Sequence, residues 1–79
     1  MNDIQWNKII LDEFRYLARP TKEEEIILRD WEAGHSVTKS AMDHNLSTRT
    51  VDRIRNQIRR KYDAVQPYTP LLPKRMIED

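Results

Sequence analysis

Apolar side chains recur along this chain at the three- and four-residue spacing of α-helices, in four stretches punctuated by proline, glycine and asparagine. The first follows Asp3, a candidate N-cap, and runs to Ala18; Arg19-Pro20 stops it, because the residue before proline is pushed out of the α region. Trp6, Ile9, Ile10, Phe14 and Leu17 form one stripe, and Ile4, Leu11 and Ala18 widen it. That width suits either two neighbours within one monomer or a dimer surface. In the second stretch Thr21 and Glu24 predict a capping box, reinforced by Glu23 and Glu25 at the positive helix end, with Ile27, Leu28 and Trp31 facing inward. Gly34 supplies a left-handed stop, and Ser36 caps a short helix across Val37 to His44. Asn45 tolerates positive φ, Leu46 is expected to plug the junction, and Ser47 caps the last helix. Within that helix Val51, Ile54, Ile58, Tyr62 and Val65 share one sector.

The pattern predicts a small all-α, four-helix domain over residues 1–66, with helices over 3–18 and 21–33 and a helix-turn-helix unit over 36–63. Residues 67–79 are expected to form an extended tail. Its prolines at 67, 70 and 73 match the three-residue repeat of polyproline II, which aligns Tyr68 and Leu71 on another edge. Apolar Tyr68, Leu71, Leu72 and Ile77 favour a strap packed on its own domain or on a partner over a loose end.

Composition narrows the partners. Seventy-nine residues, 38% hydrophobic and 34% charged, make a core that needs few contacts to saturate. A domain of this size buries only about 60% of its unfolded surface, so self-association is a plausible aid to stability. No cysteine is present, which excludes disulfides and thiolate metal sites and is compatible with a reducing cytoplasm. Runs such as Ile9-Ile10-Leu11 are too short for a membrane span. The net charge of +1 hides a polarity: residues 1–46 carry six basic and nine acidic side chains, whereas 47–63 carry six basic and two acidic. A positive helix on an otherwise acidic chain points to phosphate as the partner. On that helix Arg49/Arg53 and Arg55/Arg59 are like-charge i,i+4 pairs, unfavourable unless an anion offsets them.

Setting Val37 as the first position of a helix-turn-helix unit puts small Ala41 at the fifth, Asn45 at the turn, and Leu46, Val51 and Ile54 at the interlocking apolar positions. Ser40 and His44 occupy places that are usually apolar. The stretch Thr21-Lys-Glu-Glu-Glu-Ile-Ile-Leu28, with Glu32-Ala-Gly-His-Ser36, Ala41, Leu46-Ser47, Thr50-Val51 and Ile58-Arg-Arg-Lys-Tyr62, resembles the LuxR/GerE type of helix-turn-helix domain without a gap. It is also similar to region 4 of bacterial sigma factors. Lys39 stands where such domains often carry an acidic residue, and no C-terminal fourth helix is evident.

The resemblance implies a sequence-specific, double-stranded-DNA-binding transcription regulator of bacterial or phage type, cytoplasmic and nucleoid-associated, with helix 48–62 in the major groove. Thr48, Arg49, Asp52, Arg53 and Asn56 become the base readers. Ser36, Thr38, Lys39, Ser47, Thr50, Arg59 and Arg60 become phosphate contacts, with Lys61 beside them either a phosphate contact or a solvated charge. Asp52 either accepts from cytosine or holds Arg49 or Arg55 in position. Without the C-terminal helix that often pairs such domains, the homodimer contact passes to Ile4, Leu11, Phe14 and Ala18 of the first helix. A different class remains open: a protein-binding module contacting RNA polymerase, a sigma factor or another phage protein through the helix-turn-helix body and tail. No cofactor, metal or enzymatic activity is expected. His35 and His44 lack further ligands, and Asp12-Glu13 and Glu23-Glu24-Glu25 accompany no nucleophile motif or phosphate loop.

Overall fold

The computed structural model describes residues 4–75, and these form an all-α domain. Helix α1 spans Lys8–Ala18, α2 Lys22–Glu32, α3 Val37–Asp43 and α4 Thr48–Val65, followed by a single 3-10 turn, Gln66–Tyr68.

Local chemistry sets most of the boundaries. Thr21 and Glu24 form the reciprocal capping box: the Glu24 amide donates to Thr21 Oγ1 at 3.1 Å, and the Thr21 amide donates to Glu24 Oε1 at 2.9 Å. Ser36 and Ser47 accept from the Lys39 and Thr50 amides at 3.1 and 3.0 Å, starting α3 and α4. Gly34 at φ 88° and Asn45 at φ 54° make the two left-handed turns. Arg19 stops α1 in the same region, at φ 49°.

The start of α1 differs from expectation. Asp3 lies outside the described residues, and the cap is Asn7, whose Oδ1 accepts from the Ile10 amide at 2.9 Å. Residues 4–7 are not helical, and Ile4 enters the core from this segment. An asparagine next to the first buried turn closes the helix where the chain has to bend inward.

The core gathers Phe14 of α1, Ile27 and Leu28 of α2, and Val51, Ile54, Ile58 and Tyr62 of α4, all essentially inaccessible. Trp6 meets Phe14, Trp31 and Tyr62 edge-on at centroid distances of 5.3, 5.8 and 6.0 Å, an arrangement that aromatic quadrupoles favour. The segment before α1 thus lies near the end of α2, while Arg15 near the end of α1 pairs with Glu25 at the start of α2. The two helices run antiparallel beneath α4. α2 crosses under it, with Glu24 reaching Lys61 on one side and Trp31 beneath Arg55 and Arg59 on the other.

This packing corrects the expected dimer face. Ile4, Leu11 and Phe14 are buried within the monomer, and Ala18 packs partly buried against the same core. The wide stripe of α1 serves several neighbours at once: α4, α2 and the returning tail. Ile9, expected in that stripe, is exposed instead, because the buried arc centres on Ile10, Leu11 and Phe14. Leu46 is exposed too; the turn is closed by its amide, which donates to the Ala41 carbonyl at 2.8 Å. Ala41 is buried, as expected of the small residue where α3 meets α4.

The tail is a strap on its own domain and not a polyproline helix. Pro67 is the second residue of the 3-10 turn, Leu72 is buried, and the Leu72 carbonyl accepts from Gln66 Nε2 at 3.1 Å. Tyr62 OH donates to the Pro73 carbonyl, and Arg75 pairs with Asp63. Bonds from α4 thus fold the strap back and break its three-residue repeat. Tyr68 and Leu71 point outward, and Ile77 lies outside the described residues.

Candidate nucleic-acid interface

The outward face of α4 brings Thr48, Arg49, Asp52, Arg53, Asn56 and Arg60 to the surface, all exposed. Phase does this: with Val51, Ile54 and Ile58 locked into the core, residues at 49, 53, 56 and 60 must point away. Arg49, Asp52, Arg53, Asn56 and Arg60, with Gln57, line a shallow depression of about 430 Å³. Arg49, Asp52 and Arg60 make no hydrogen bond or ion pair among the described residues, so Asp52 does not hold Arg49. Arg53 is tethered on one side, 3.6 Å from Glu23 of α2. With the Gln57 amide oriented by its neighbours, its oxygen accepts from Arg53 Nη1 at 2.9 Å and its nitrogen donates to Glu24 at 3.3 Å.

Asn56 is exposed, yet its Oδ1 accepts from Arg59 Nη1 at 2.7 Å, leaving the amide NH₂ as its outward group. An adenine fork needs both ends of the amide, so Asn56 reads adenine only if Arg59 lets go.

The expected phosphate contacts divide. Ser36, Thr38, Lys39 and Ser47 are exposed at the first turns of α3 and α4, and Thr50 is half-buried beside Ser47. The Ser47 hydroxyl donates to Thr50 Oγ1 at 2.9 Å while capping the helix, and Lys39 lies 3.2 Å from Asp43. Arg60 stays outward. Arg59 does not: its guanidinium stacks on the Trp31 ring at 4.9 Å.

Two further basic residues of α4 turn inward. Arg55 is buried, stacks on the same ring at 4.6 Å, and donates through Nη2 to the His35 carbonyl at 2.8 Å. One indole therefore takes two guanidiniums, which offsets the like-charge crowding of Arg55 and Arg59 without an external anion. Lys61, expected at phosphate or in solvent, donates to Glu24 Oε1 at 2.5 Å. Burial opposes the Glu24 charge, but the bonds from Lys61 and Thr21 outweigh it and hold the carboxyl below the usual glutamate range. Phase could have separated Arg55 from the readers, since at 100° per residue it lies beside Tyr62 and Val51 on the core flank. The partnership with Trp31 leaves no such trace in the sequence.

The usually apolar place held by His44 is explained by Asp30 of α2, whereas Ser40 is fully buried and its hydroxyl has no hydrogen-bond partner among the described residues. His44 Nε2 lies 2.7 Å from Asp30 Oδ2 at the end of α3, and His35 Nδ1 lies 3.6 Å from Oδ1. Burial raises the Asp30 carboxyl, but the hydrogen bond with His44 and the nearby histidine charges pull it below the ordinary aspartate value. The cluster ties α2 to the end of α3 and so fixes the turn into α4. Among the described residues no three His, Cys, Asp or Glu side chains are placed to share a metal ion, and no helix is long and apolar enough to cross a membrane.

The arrangement is therefore a helix with its core face and one flank committed internally, and an outer face of three arginines with polar neighbours. Guanidiniums so displayed suit bidentate contact with guanine O6 and N7 or with phosphate oxygens. No protein-family model matches the chain, and neither a similar curated protein nor a similar solved structure is found.

Proposed function

We propose that this chain binds double-stranded DNA sequence-specifically, as a bacterial or phage transcription regulator of the LuxR/GerE-like helix-turn-helix kind, with residues 48–62 of α4 in the major groove. The observation that carries the reading is the sorting of basic side chains on α4. Arg55, Arg59 and Lys61 are used inside the domain, while Arg49, Arg53 and Arg60 share one exposed face around a shallow depression. Concentrating like charge on one helix face, with only Arg53 paired internally, is unfavourable in isolation and is relieved by a polyanion. The short α3–α4 turn through left-handed Asn45, with Ala41 at the close approach, suits a scanning helix feeding a recognition helix.

Arg49 and Arg53 are assigned to base reading and Arg60 to phosphate. Ser36, Thr38, Lys39, Ser47 and Thr50 are assigned to positioning on the backbone. The test is equilibrium binding to duplex DNA across a salt series. Each neutralised phosphate contributes about −0.9 to the slope of log affinity against log salt, so three or more contacts give roughly −3 or steeper. A flat salt response would contradict the proposal.

A second reading draws on one specific feature. Glu23, Ile26, Ile27, His44 and Leu46 line a groove of about 410 Å³ with Ile26 and Leu46 exposed, a place where a protein of the transcription machinery could dock. Binding of that kind responds weakly to salt and is lost in Ile26→Glu, a change that leaves α4 untouched.

A further inference from the structure

Ile9 and Tyr16 of α1 are 64% and 75% exposed, and Tyr68 and Leu71 of the tail are 84% and 51% exposed. The Thr69 hydroxyl joins these two pairs, donating to Glu13 Oε2 at 2.7 Å and accepting from the Leu71 amide at 3.1 Å. Glu13 lies between Ile9 and Tyr16 on the helix surface, so the tail is pinned alongside that face. The result is one apolar patch of two tyrosines, an isoleucine and a leucine in an otherwise strongly polar chain.

We infer that this patch is where a second copy of the chain docks, and that the pair carries its two α4 helices on opposite sides, each free to hold a separate DNA segment. The DNA half of this inference rests on the function proposed above.

Area and charge both favour a second copy as the occupant. An aromatic side chain covers about 150–250 Å², so the two tyrosines alone contribute on the order of 300 Å² per copy. With Ile9 and Leu71, a two-fold contact reaches roughly the 1,000–1,200 Å² at which specific pairs begin. Beside the patch, Lys8 and Asp12 lie on the surface of the same helix, 3.6 Å apart and largely exposed. A two-fold axis passing midway between them sets Lys8 of one copy against Asp12 of the other, which makes the rim self-complementary in that register.

The orientation follows from helix phase. On α1, Ile9 and Tyr16 lie roughly 160° round from Ile10, Leu11 and Phe14, which face α4 and the core. On α4, Arg49, Arg53 and Arg60 lie roughly 150° round from Val51, Ile54 and Ile58. The patch and the arginine face are therefore on opposite sides of the domain. Two copies joined patch to patch point their arginine faces away from each other. Such a pair joins two duplexes, or two distant segments of one, and does not grip adjacent half-sites.

The experiment is sedimentation equilibrium of the full chain without DNA, from micromolar to millimolar concentration, for wild type, Tyr16→Glu and Leu71→Glu. Helical circular dichroism serves as the fold control. Wild type is expected to form dimers, and each variant to associate at least about tenfold more weakly with an unchanged spectrum, since a carboxylate replaces an interface anchor. A monomeric wild type, or folded variants that dimerise like wild type, would overturn the docking site whatever the protein does with DNA. A surface-bound duplex is then offered wild type and a second, labelled duplex. Capture of the label by wild type but not by Tyr16→Glu supports the arrangement. Dimers that bind one duplex without capturing another overturn it. Absence of any DNA binding removes the reading of α4 and the joining of duplexes with it, while the sedimentation result still decides the dimer.

Discussion

Arg53 and Arg55 are two positions apart on α4 and have opposite fates. Arg53 stands half-exposed over Glu23, whereas Arg55 is buried against Trp31 and bonded to the His35 carbonyl. A 200° turn of the helix separates a side chain free to meet a ligand from one that holds α2 and the α2–α3 turn in place. A basic helix is thus not one functional unit. Its charge divides into an outer set, in which only Arg53 has an internal tether, and a flank set that the fold consumes.

The comparison can be broken most severely through the core on which both sets depend. Ile54→Ala removes a fully buried side chain between the two faces and is expected to cost about 2–5 kcal/mol, a large share of the stability of so small a domain. Thermal melting checks it; a wild-type melt would mean that the phase of α4 is wrong. Arg55→Ala comes next, at about 1–3 kcal/mol of folding stability, from the loss of a charged hydrogen bond and a cation–π contact. Binding by the fraction that remains folded should be unchanged. Arg49→Ala and Arg53→Ala reverse the pattern. Each should weaken specific DNA binding by about 1–3 kcal/mol and relax base preference, with melting within about 0.5 kcal/mol of wild type.

Acid probes the internal set by another route. The Asp30 and Glu24 carboxyls both lie below their ordinary values in the fold. A depressed carboxyl adds stability that is fully present above its unfolded pKa and is lost as pH falls through the folded one. The melting temperature should therefore hold above about pH 5 and drop below roughly pH 4. Asp30→Asn should flatten part of that drop, and an unaltered acid limb in this variant would remove Asp30 from the account. The smallest effect is expected for Lys39→Ala. Its exposed pair with Asp43 is worth about 0.5 kcal/mol or less, and a lost phosphate contact would lower the salt slope by about one.

What the sequence disclosed and what it concealed divide along the same physical line. Thr21, Ser36 and Ser47 cap helices, and Gly34 and Asn45 turn left-handed, through bonds within a few residues, so the chain announces them directly. The phase of α4 was equally plain, because Val51, Ile54, Ile58 and Tyr62 repeat at helical spacing, and it exposed the candidate readers. Features that depend on a distant partner were not legible. Trp31 claims Arg55 and Arg59 from a different helix, and Glu24 claims Lys61 across 37 positions. The breadth of the α1 stripe resembled an interface between copies because the sequence does not show that α4 and the Leu72 strap close over the same core. Leu46 was expected inside by hydrophobicity, but a turn closed by backbone bonds leaves it out.

The central claim is that the outer arginine face of α4 reads DNA while the Trp31 flank only supports it. Selection from a random duplex pool by wild type, Arg53→Ala and Arg55→Ala, side by side at a temperature where all three are folded, tests this most directly. The account predicts that wild type enriches a defined sequence, that Arg53→Ala loses preference at particular base pairs of it, and that Arg55→Ala keeps the wild-type sequence. Enrichment of no sequence by wild type, or loss of the same base pairs by Arg55→Ala as by Arg53→Ala, would contradict it.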